Sequence, residues 1–67
     1  MLILQPNLRD GDAFYAALID AHRGFSDAES EAMNARLVLL LANHIGDEDV
    51  LNAALATARA SVVEERA

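Results

Sequence analysis

The chain has 67 residues, a net charge of −6 and no cysteine. A chain of this length makes one domain with a thin core, and without cysteine neither a disulfide nor a thiolate zinc site can reinforce it, so the extra stability is expected from helix packing or self-association. Eleven carboxylates face only five scattered arginines, Arg9, Arg23, Arg36, Arg59 and Arg66, so there is no basic patch, and nucleic acid and anionic membrane surfaces are not expected as partners.

Residues 1–9 begin with the apolar Met1-Leu2-Ile3-Leu4, which is too short for a helix, and Pro6 biases Gln5 toward extended geometry. They are expected to form a short extended arm. With no basic segment before the apolar residues, a signal peptide is not expected, and the longest apolar run, Leu37 to Ala42, falls well short of the roughly 20 residues that span a bilayer. A reducing cytoplasmic setting is the natural expectation. Asp10 then caps a first helix over about 11–23, with Asp12 in the turn where the helix dipole favours negative charge and Gly24 ending it in the left-handed region. Ser26-Asp27-Ala28-Glu29 has the form of a capping box and starts a second helix over about 27–45, about 28 Å long at ~1.5 Å per residue. Gly46 stops it. Asp47 caps a third helix over about 48–64, with a frayed acidic tail expected over 62–67. The whole chain, 1–67, is expected to be one all-α domain of three antiparallel helices, because turns of two to four residues oblige neighbours to fold back.

At 100° per residue, Phe14, Leu18, Ala21, Ala17, His22 and Tyr15 share one face of the first helix, and Val50, Leu51, Ala54, Leu55, Ala58 and Val62 share one face of the third. The second helix differs in having two apolar sides. Leu37, Leu40, Leu41, Met33 and His44 occupy one, and Val38, Leu39, Ala35, Ala42 and Ala28 the other, separated by polar strips that include Glu29, Arg36 and Asn43. Such a helix needs two neighbours. Either the first and third helices each cover one side in a closed bundle, or both take the same side and a second copy takes the other. The thin core favours a symmetric homodimer, with the side carrying Val38 and Ala42 as its seam.

Chemistry has little to build on. His22 and His44 each lie in a last helical turn, two residues before a glycine, where an imidazole meets free carbonyls and the negative end of the dipole. In an antiparallel hairpin they fall at opposite ends of the second helix, about 27 Å apart at ~1.5 Å per residue, so one chain cannot bring them to one metal ion and only a dimer could. The carboxylate clusters Asp10/Asp12, Asp27/Glu29/Glu31 and Asp47/Glu48/Asp49 all sit at helix starts, which capping explains, and the last lacks the internal glycine and terminal glutamate of a calcium loop. Ser26, Ser30 and Ser61 have no glycine-flanked elbow, and there is no glycine-rich phosphate loop. The serines stand in Phe-Ser-Asp and Glu-Ser-Glu, not in the Asp-Ser-Leu of carrier domains. No catalytic residue, metal ligand or cofactor is expected. Tyr15, at the edge of the first helix's apolar face, is the aromatic suited to an interface.

At Phe14-Tyr-Ala-Ala-Leu18, and more so at Asn34-Ala-Arg-Leu-Val-Leu-Leu-Leu-Ala-Asn-His-Ile-Gly-Asp47, the chain resembles a family of short bacterial proteins classed only as a domain of unknown function, over about Pro6 to Ala60. The resemblance carries no catalytic activity with it. It implies at most an accessory role beside flavin-dependent oxidoreductases, and it points to Arg36, Asn43, His44 and Asp47.

The residues together describe a non-catalytic interaction or accessory module that assembles with itself and engages a protein partner, with Arg36, Asn43, His44, Tyr15, Val38 and Ala42 as candidate interface or polar-site residues. The competing expectation is a small ligand-binding protein or enzyme whose site forms between subunits around Arg36, Asn43 and His44.

Overall fold

A computed structural model describes residues 1–66 and carries three helices, with no strand among those residues. They are α1 (Gly11–Ala21), α2 (Asp27–Ile45) and α3 (Glu48–Arg66). Residues 1–10 contain neither helix nor strand.

Local chemistry accounts for the start of each helix and for the ends of α1 and α2. Asp10 Oδ1 accepts from the Ala13 N–H at 2.9 Å and so starts α1. This helix stops two residues short of the expected Arg23. The backbone N–H groups of His22 and Arg23 turn to Ile19 and Asp20, three residues back, which tightens the chain out of the α-helix. Gly24 then takes a φ of 80°, a conformation that costs a residue with a Cβ about 1–2 kcal/mol. The capping box at α2 is complete: Glu29 N–H donates to Ser26 Oγ at 3.2 Å and Ser26 N–H donates to Glu29 Oε1 at 2.9 Å. Gly46 closes α2 at a φ of 67°, its N–H returning to the Ala42 carbonyl. Asp47 Oδ1 accepts from the N–H groups of both Asp49 and Val50 and starts α3.

Beyond that start α3 has no glycine or proline, and it continues past the expected residue 64 to Arg66. Residues 62–66, expected as tail, are therefore helical, and Ala67 lies outside the described residues. The hydroxyl of Thr57 bonds back to the Ala53 carbonyl at 2.9 Å, which satisfies a polar group inside the helix.

Both neighbours of α2 are present, but neither closes onto it. Phe14, Ala17, Leu18 and Ala21 of α1 face Met33 and Leu37 across one open groove. Leu51, Ala54, Leu55 and Ala58 of α3 face Val38, Leu41, Ala42 and Ile45 across another. No helix pair packs along its length, and no described residue is buried. The closed three-helix bundle is not formed. The radius of gyration is 13.7 Å against about 11 Å for a compact chain of this length. The surface tells the same story: 6199 Å² is accessible, about 2,000 Å² more than the roughly 4,100 Å² of a folded monomer of 7.2 kDa.

Candidate functional site

The helix termini set how the candidate residues are presented. At the α1–α2 turn, His22 Nδ1 and Ser30 Oγ lie 2.8 Å apart, and both residues are half-buried. That bond pins the end of α1 to the first turns of α2. His22 thus acts as a clasp between helices, a role that the residue pattern alone does not reveal because Ser30 lies eight positions away. The neighbouring Arg23 pairs with Asp20 in an exposed ion pair, the one pair of this kind among the described residues. Arg36 has no such partner among the described residues of its chain.

With α1 and α3 on two sides of α2, a third side stays open. It carries Phe25, Glu29, Ala32, Arg36 and Leu40 along one shallow groove. Arg36 also borders a flatter recess with Leu39, Leu40 and Asn43. Leu39 and Leu40 are each 70% exposed, which is unusual for two adjacent leucines in the middle of a helix. The structure therefore brings Arg36 and Asn43 together. His44 does not border their recess. It is one position further on, about 100° round the helix, in the last turn where a cation meets the negative dipole end.

Val38 and Ala42, expected on a seam between copies, line the groove towards α3. Their neighbour Leu39 faces outward instead, beside Arg36. Tyr15 is 63% exposed on α1, with Ile19 one turn further on and also exposed, so the two make a small apolar patch.

Electrostatics add one feature. The carboxyl of Glu29 is held below the usual carboxylate range, chiefly by the Ser26 backbone N–H and next by the Ser26 hydroxyl, against a smaller opposing effect of desolvation. The cause is capping, and the shift marks a helix start and no reacting group. Among the described residues, no group of three or more His, Asp and Glu side chains comes together as a metal shell. Among the described residues, no helix is long and apolar enough to cross a membrane.

A family model matches residues 2–60, which takes in the whole of α1 and α2 and α3 as far as Ala60. The chain belongs to this family, the proteins of unknown function DUF2783. The match includes the capping box, both positive-φ glycines and the open side of α2, so the features described above lie within the DUF2783 region. No curated protein and no solved structure matches the chain.

Proposed function

We propose that this DUF2783 chain is a non-catalytic interaction module that assembles with itself and, once assembled, engages a protein partner in the cytoplasm. The supporting observation is the surface. A chain with no buried residue among those described and about 2,000 Å² more accessible area than a folded monomer of its mass lacks the burial that offsets chain entropy. Standard protein interfaces take about 800 Å² from each partner, and obligate homodimers take more, so the surplus is of the size that association removes. The N-terminal residues 1–9, with exposed Ile3, Leu4 and Leu8, serve in this reading as an arm that adds contact area to the assembly or its partner.

An interaction role fits the open side of α2, whose shallow recesses set Glu29, Arg36 and Asn43 among apolar neighbours. The acidic balance argues against nucleic acid as the partner. In the competing reading a site between subunits draws Arg36 and Asn43 from one recess and His44 from the other chain, since His44 of the same chain stands outside that recess.

Light scattering across a range of concentrations tests the proposal. A particle of at least twice the 7.2 kDa chain mass is expected, dissociating on dilution with loss of helicity. A particle of single-chain mass that keeps its full helicity at every concentration would overturn it.

A further inference from the structure

Two oppositely charged residues stand on the open side of α2, and their spacing carries information about what covers it. Glu29 and Arg36 are seven residues apart, two turns and about 10 Å along the axis, and within about 20° of one another around it. They border the same groove, with Phe25 beyond Glu29, Leu40 beyond Arg36 and the small Ala32 between. Met33 and Leu37 border it too, on the side towards α1. Its acidic residue precedes its basic one along α2, and an antiparallel copy presents them in the reverse order, so the two charges complement those of a second copy.

We infer that α2 pairs with α2 of a second copy in an antiparallel seam, with Glu29 facing the partner's Arg36 and Arg36 facing the partner's Glu29. The inference rests on the self-assembling reading above and names its occupant and its register. With the two-fold axis between Ala32 and Met33, both ion pairs form at once. A two-fold contact must be complementary in this way, because each residue meets its counterpart reciprocally. At the crossing Ala32 meets the partner's Met33, so a small side chain receives a long, flexible one, and such side chains at the contact set the interaxial distance. In a parallel pairing in register, Arg36 would meet Arg36 and Glu29 would meet Glu29, and like charges across an interface are strongly disfavoured.

Both charges are available for the pairing. Arg36 makes no ion pair in its own chain among the described residues. Glu29 uses Oε1 for the Ser26 N–H, which leaves its second carboxylate oxygen for a guanidinium. The seam lies about 170° around α2 from the Val38–Ala42 groove that faces α3, so the two contacts do not compete.

Charge exchange tests the register. Arg36→Glu and Glu29→Arg are made singly, mass is measured by light scattering and helicity by circular dichroism. Each single variant places two like-charged pairs in the seam and is expected to raise the dimer dissociation constant by about 100-fold or more. An equimolar mixture of the two restores both opposite-charge pairs and is expected to recover the dimer, as a heterodimer carrying one chain of each. Should a single variant lose its helicity, the mixture must regain it, and a mixture that stays unfolded or monomeric overturns the seam. Single variants that remain as dimeric as the wild type also overturn the seam, and they leave the self-assembling reading standing. A wild type that is monomeric at all concentrations overturns both.

Discussion

Ser26 and Glu29 show how much of this molecule is decided by single side chains at helix ends. Their two hydrogen bonds satisfy backbone donors that no other part of the helix can reach. Ser26→Ala is expected to destabilise the chain by about 0.5–2 kcal/mol, read as a lower urea midpoint with an unchanged slope. An unchanged midpoint would mean that the box contributes nothing in solution. Glu29 adds a pH dependence whose sign follows from its depressed folded-state pKa. The unfolded chain takes up the proton first as acid is added, so the stabilisation is complete above the usual carboxylate range and is lost as pH falls through the lowered folded value. Glu29→Gln keeps an acceptor at the cap but cannot titrate there. It is expected to flatten the acid limb of the stability profile, and an identical acid limb in both proteins would refute the assignment.

At the scale of the element, α2 has three sides with three different tasks. Met33 and Leu37 face α1, Val38 and Ala42 face α3, and Glu29 and Arg36 look outward. Charge at Val38 should therefore act inside the chain. Val38→Glu is expected to lower stability by about 1 kcal/mol in urea denaturation at fixed concentration, because it places a carboxylate among Leu41, Leu51 and Leu55. Its dimer dissociation constant should change far less than that of Arg36→Glu. Dissociation of the Val38→Glu dimer at unchanged chain stability would move the seam to the α3 side. The helix lengths were legible to different degrees for a local reason. Gly46 and the capping box mark the ends of α2 unambiguously, whereas the His22–Arg23 turn reflects backbone bonds three residues back that no residue type announces.

For the molecule as a whole, the proposed self-assembly would link folding to concentration. If burial is completed between chains, the unfolding midpoint must rise with protein concentration, as it does whenever association favours the folded state. Thermal unfolding followed by circular dichroism over a hundredfold range of concentration is expected to show this upward shift. A midpoint independent of concentration would place the missing burial elsewhere, on a different partner.

The amino-acid order by itself determined the three helices, their caps and the two left-handed glycines, because each depends on groups within four residues of one another. It also supplied the apolar stripes that each helix has to cover, since these follow from helical periodicity alone. Which stripe meets which neighbour was not legible there. The wheel of α2 allowed Val38 with Leu39 on one continuous side, and only the placement of α3 separates them, setting Val38 in a groove and leaving Leu39 beside Arg36. The clasp between His22 and Ser30, and the exposure of the Glu29–Arg36 strip, likewise arise from how far the helices swing apart. That angle depends on the turns joining the helices and on what each open face meets, and local sequence carries no direct record of it.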